Sequence, residues 1–207
     1  MGAMTADSLT LLDWRRRIGD LYSGIRATSD KEAGWRRWHG TRAVLFREHP
    51  QSPIPLAQRA GYTGPYLYDY DPAWCLTAAV EPIEPSRLRI ATSNVDEMAF
   101  TRFGLARFRH GDFDLTLELY WLEGYGGGLF VPFADATSGE ETYGGGRYLL
   151  DSVKGADLGQ QDGRLVLDFN FAYQPSCAYD PRWTCPLSPP ANRLAVRVRA
   201  GERVAPD

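Results

Sequence analysis

A chain of 207 residues, 43% hydrophobic and 24% charged, is long enough for one ordinary globular domain with a full core. Its net charge of -3 leaves no basic footprint for nucleic acid or an anionic membrane, and no stretch reaches the roughly 18 apolar residues that span a bilayer. The N-terminal MGAMTADSLT lacks a basic start followed by an apolar run, so a signal peptide is not expected and the cytoplasm is the default compartment.

A helical pair is expected over about 8–47. Leu11, Trp14, Ile18, Leu21 and Ile25 recur at spacings of three and four, the stripe of an amphipathic helix, with Asp7 or Ser8 as its N-cap. Ser29-Asp30-Lys31-Glu32 then reads as a capping box opening a second helix. Trp35, Trp38, Leu45 and Phe46 lie on one side of that helix, and His49-Pro50 ends it. The following HPQSPIPLAQ is short, Pro-rich and partly apolar, as a covering loop would be.

From about Tyr66 onward the period changes to two. The clearest case is 113–121, where Phe113, Leu115, Leu117, Leu119 and Trp121 alternate with mostly polar neighbours. Further strands are expected at 66–70, 75–80, 87–92, 99–108, 129–133, 147–150, 164–170 and 194–199, with turn signals such as His110-Gly111-Asp112 between them. No helix-length pattern separates them, so parallel crossovers are not expected. The expected fold is α+β and mainly β. It is a single domain over 1–207 in which an antiparallel body (62–200), curled into a barrel or sandwich, carries the N-terminal helix pair on it. A Pro-rich C-terminal loop, 171–193, is long for a compact domain, and such loops often bind ligands.

Two glycine bursts, GYGGGLF (124–130) and TYGGGRYL (142–149), raise the question of a phosphate loop. Neither leads into a helix or carries G-K-[ST], so tight turns at sheet corners are the simpler reading, with an anion site at Arg147 the alternative. Between the bursts, Asp135, Glu141 and Tyr143 either decorate a solvated hairpin or turn inward as acid, base or orienting groups. Asp168 and Asn170, two apart, share one face of a strand. The expected ligand-binding residues are therefore Arg147, Asp168, Asn170 and Tyr173, lining one cleft between the sheet and the C-terminal loop, with Asp135 and Tyr143 at its rim and His49 turned towards it. Arg147 and Asp168 facing one cavity would also serve as a structural ion pair.

No metal is expected, because Cys177 and Cys185 stand seven residues apart, unlike a metal knuckle, and no second pair exists. Cys75, Cys177 and Cys185 are an odd number and are expected as thiols. A Cys177–His49 nucleophile pair is the sparse alternative, since the chain has no G-x-S-x-G elbow. No cofactor is implied, and oligomeric state is left open. All basic residues except Lys31 and Lys154 are arginines, in keeping with a GC-rich bacterial genome.

The runs YGGGLFVPFADATSGEETYGGGRYLL (125–150) and DFNFAYQPSCAYDPRWTCPLSPPANRL (168–194) resemble the two signature blocks of an uncharacterised prokaryotic family, the domain of unknown function numbered sixteen-eighty-four. The similarity extends over almost the whole chain, including the helices and HPQSP. It implies a stand-alone domain of this length and brings no activity, substrate or catalytic residues with it. Gln174 stands where that family usually has Asn, Ala134 stands where a basic residue is frequent, and Cys75 lies outside both blocks. Two function classes follow: a protein that binds a small polar or anionic molecule without chemistry, or an enzyme, possibly hydrolytic in class, using carboxylates and tyrosines of the same cleft.

Overall fold

The computed structural model describes residues 2–205, with side chains from residue 7 onward. Helix α1 spans Gly2–Arg26 and α2 spans Lys31–Glu48. Asp7 and Ser8 lie inside α1 and do not cap it. At α2 the cap falls on Asp30, one residue later than the capping box suggests. Its carboxylate accepts from the Ala33 amide at 2.9 Å, which satisfies one of the free donors of the first turn.

The apolar stripe of α1 is buried only in its second half, at Ile18, Leu21, Tyr22 and Ile25, while Trp14 is half-buried and Leu11 is 39% exposed. Tyr22 accepts a hydrogen bond from the Trp38 indole at 3.1 Å, joining the helices inside the core. On α2 the buried positions are Gly34, Trp38, Arg42, Leu45 and Phe46. Arg42 is one turn from both Trp38 and Phe46, so a cation sits on the face that packs on the sheet.

Nine strands follow among the described residues: β1 (Tyr66–Leu67), β2 (Cys75–Ala91), β3 (Glu97–His110), β4 (Phe113–Leu122), β5 (Gly128–Phe133), β6 (Arg147–Asp151), β7 (Gln160–Gln161), β8 (Arg164–Asp168) and β9 (Glu202–Arg203). Seven form one antiparallel sheet in the order β6-β5-β4-β3-β2-β8-β7, and β1 pairs with β9. The two strands expected at 75–80 and 87–92 are one long strand. Pro82 and Pro85 interrupt the alternation, and the register shifts between Pro82 and Ser86 without ending the pairing. In β4 the alternation holds at Leu115, Leu117 and Leu119, whereas the end residues Phe113 and Trp121 are 57% and 48% exposed.

The sheet curls but is not closed into a barrel. Its two ends approach where Tyr173, just after β8, exchanges both backbone hydrogen bonds with Tyr148 of β6 (2.8 and 3.0 Å). The helix pair lies over this meeting point, with Trp38 edge-on to Phe171 at 5.5 Å. Residues 194–199 are not a strand, although Leu194 and Val198 are buried. They run beside residues 134–136 and are held by single bonds, Leu194 N–H to the Ala134 carbonyl and Ala136 N–H to the Val196 carbonyl. Strand 164–170 ends at Asp168, whose carboxylate caps a 3-10 turn over Phe169–Phe171.

Candidate functional site

The residues expected to share one cleft occupy separate places. Arg147 and Asp135 meet each other instead of Arg147 meeting Asp168. The guanidinium is 1% exposed and its Nη2 donates to Asp135 Oδ2 at 2.8 Å and to the Val198 carbonyl at 2.8 Å. Its Nη1 donates to the Ala200 and Glu202 carbonyls at 2.5 and 3.1 Å, and the Phe133 ring lies 5.0 Å beneath. Asp135 also accepts from the Val198 amide and from both the amide and hydroxyl of Thr137. Burial pulls the Arg147 guanidinium below its ordinary pKa, and Asp135 opposes that. Both terminal nitrogens of Arg147 are spent on these internal acceptors, and the guanidinium is buried, so it does not face an anion beside Gly144–Gly146. The glycines are a turn, as their simpler reading held.

Asp168 and Asn170 hold the loop before β2. The Asn170 amide exchanges hydrogen bonds with the Asp71 backbone (both 2.9 Å) and donates to Asp168 Oδ1 at 2.9 Å. Burial raises the Asp168 pKa, with Asn170 and Cys75 opposing. Cys75 in turn is pushed up to about 12 by burial and by that carboxylate. His49 caps α2, and its Nδ1 accepts from the Gln51 amide, so Nε2 carries the proton and donates to Asp13 at 3.2 Å. With both ring nitrogens engaged, His49 is no base for Cys177. That thiol pairs with the Tyr143 hydroxyl at 3.6 Å.

Two of the expected residues border cavities, and they are different ones: His49 borders a surface hollow with Asp13 and Arg17, and Tyr173 borders the space between the helices, the sheet and the C-terminal loop. The Tyr173 ring covers the guanidinium of Arg42 at 5.0 Å, and Trp38 and Phe46 contact the same group at 5.0 and 4.7 Å. Arg42 Nε donates to Glu202 Oε1 at 2.7 Å. The other oxygen of Glu202 accepts from the Gln174 amide and the Tyr179 hydroxyl at 2.8 and 2.9 Å. Burial alone would lower the Arg42 pKa; Glu202 outweighs it and raises it.

Two adjoining cavities open here between the helices, the sheet and the C-terminal loop, and they share Trp14, Lys154 and Ser176. The inner one, about 50 Å³, is lined by Arg42, Tyr22, Tyr148, Tyr173 and Gln174. The outer one, about 170 Å³, adds Leu11, Arg15, Gln51, Trp183, Thr184 and Cys185. At roughly 30 Å³ per water in the liquid, the outer space corresponds to several waters, a size suited to a small organic acid. Three cations, Arg15, Arg42 and Lys154, line this cleft, and no carboxylate is among the lining residues of either cavity. Lys154 lies over the Tyr148 ring and 3.4 Å from Asp151, while the buried Gln174 Oε1 has no hydrogen-bond partner.

Arg42, Glu202, Arg15 and Lys154 were not singled out by the sequence. For Arg42 a signal existed: an arginine midway between Trp38 and Phe46 on one helical face. For Glu202, in a short C-terminal strand, there was none.

The sequence matches the family described as "Protein of unknown function (DUF1684)" over residues 60–203. Among solved structures it is similar to the solution NMR structure of the uncharacterized protein from gene locus rrnAC0354 of Haloarcula marismortui, at 32% identity and a TM-score of 0.63. That similarity covers 87% of this chain and 97% of the other. No curated protein matches. Among the described residues, no helix is long and apolar enough to cross a membrane.

Proposed function

This chain belongs to the DUF1684 family, and for it we propose that the cleft beneath the helix pair binds a small anionic molecule, a carboxylate or phosphate ester with an apolar portion. The reading rests on the lining of the cleft: Arg15, Arg42 and Lys154 with no carboxylate, in a protein whose net charge is -3. Arg42 is held in place by three rings and by Glu202, so it meets a ligand without paying much rotamer entropy. Trp14 and Trp183 offer faces for an apolar group, and the Tyr and Ser hydroxyls supply orienting hydrogen bonds. Binding is favoured over hydrolysis because His49 has no free nitrogen, and Asp135 and Asp168 line neither cavity.

Calorimetry with phosphate and with mono- and dicarboxylates, each against its neutral amide, tests this. The anions should bind and the amides should not, and Arg15→Ala with Lys154→Ala should weaken binding at least about tenfold, or 1.4 kcal/mol. Equal binding of amides, or an unchanged affinity in the double variant, would sink the proposal.

A further inference from the structure

The C-terminal loop carries two thiols that touch. The Cys177 amide donates to Cys185 Sγ at 3.4 Å, which seats the Cys185 sulfur directly against residue 177. The Tyr143 hydroxyl stands 3.6 Å from Cys177 Sγ. Tyr143 can fold back this far because residue 145 is glycine; a Cβ there would meet its ring at 2.5 Å. The thiols differ in access, with Cys177 half-buried and Cys185 only 3% exposed, on the wall of the outer cavity. The third thiol, Cys75, lies in a different setting, against Asp168.

We infer that Cys177 and Cys185 form a peroxide-reactive dithiol, in which Cys177 attacks and Cys185 resolves. This goes beyond the binding reading and does not rest on it. As a thiolate, Cys177 Sγ attacks one oxygen of a hydroperoxide, and the O–O bond breaks. The product is a sulfenic acid on Cys177, and the departing alkoxide or hydroxide takes up the thiol's proton. The Cys185 sulfur then displaces hydroxide from that sulfenic acid, losing its own proton, so that an S–S bond forms and water leaves. Two thiols are oxidised by two electrons in total, and one hydroperoxide is reduced to an alcohol and water.

The local chemistry favours this division of roles. The hydrogen bond with Cys185 holds the Cys177 thiol down near 6, against the effect of its partial burial, with Ser93 and Tyr143 contributing further. The same bond to Cys177, with burial, pushes Cys185 up, and Lys154 acts in the other direction. The directions of these shifts make Cys177, the more accessible of the two, the readier thiolate and leave Cys185 as its protonated partner. Cys75, pushed up to about 12, is an internal control.

The full-length reduced protein is treated with one equivalent of hydrogen peroxide, and the products are mapped by mass spectrometry. Trypsin cuts after Arg182, between the two cysteines, so a disulfide shows as two linked peptides. Expected are loss of two hydrogens from the wild type, a 177–185 linkage, and an unmodified Cys75. Cys185→Ser should stop at a sulfenic acid that dimedone captures on Cys177. In the untreated wild type, alkylation of Cys177 should be half-maximal near pH 6 instead of the ordinary 9. Tyr143→Phe should move that midpoint upward. A midpoint near 9, oxidation of Cys75 first, or sulfinic acid on Cys177 in place of the linkage would overturn the inference.

Discussion

Two arginines are buried against carboxylates in this protein, and they differ in what surrounds the pair. Arg147 has both terminal nitrogens occupied, three of the four acceptors being carbonyls of residues 198, 200 and 202, and Asp135 accepts only from its own loop and the Val198 amide besides. Arg42 has Glu202 as its ion partner, is walled by three aromatic rings, and borders an open cavity. The first pair does the work of a missing β-ladder. Residues 194–200 have buried carbonyls but no strand neighbour, and an orphaned buried carbonyl is costly, so the guanidinium serves as their donor. The second pair keeps a cation fixed at an accessible wall. Burial and charge pairing alone therefore do not mark a ligand site; the proposed binding reading for Arg42 rests on the unfilled space beside the pair.

The largest effect expected from this contrast is on stability. Arg147→Ala leaves the Asp135 charge and three carbonyls buried without their donor, and should cost about 3–5 kcal/mol in a denaturant melt. Arg42→Ala leaves Glu202 with its bonds from Gln174 and Tyr179, and should cost less, about 1.5–3 kcal/mol, while abolishing anion binding. Equal losses in the two variants would erase the distinction.

A smaller effect tests how the C-terminal segment reaches Arg147. Gly201 has φ +76°, and a Cβ there would press on the carbonyl oxygens of Ala172 and, at 2.8 Å, of Phe169. Gly201→Ala should cost about 1–3 kcal/mol from backbone strain, measured in the same melts. No loss would mean that the segment can lift away freely.

The smallest effect concerns a half-buried carboxylate, Glu141, that pairs with arginines of the same segment. Glu141 accepts from Arg197, Arg199 and Tyr68, and these, led by Arg199, hold its carboxyl down to about 2. A lowered folded-state pKa gives stability that is present above the ordinary value of 4.5 and is lost as pH falls towards 2. Glu141→Gln should therefore be less stable than wild type at pH 7, by under about 1 kcal/mol given its partial exposure to solvent, and the gap should close between pH 4.5 and 2. A gap that persists at pH 2 would assign the effect to packing instead of charge.

Local periodicity determined the helix pair, the antiparallel class, the β3–β4 hairpin and the buried positions of β4, because each is set by spacing within a few residues. The proline-rich loop was also legible as ordered chain, since five prolines fix its backbone without letting it join a ladder. Segment 194–199 misled, because Leu194, Val196 and Val198 alternate as a strand would, yet the neighbour that could pair with them supplies a carboxylate and a guanidinium instead of a ladder. The partner choices were decided only by the tertiary structure: Arg147 with Asp135 and not Asp168, Arg42 with Glu202 across 160 residues, and Cys177 with Tyr143 and not His49. Spacing along a chain fixes which face a side chain takes. Which charge it meets there depends on how the sheet curls and where the C-terminal segment crosses it, and no local pattern carries that information.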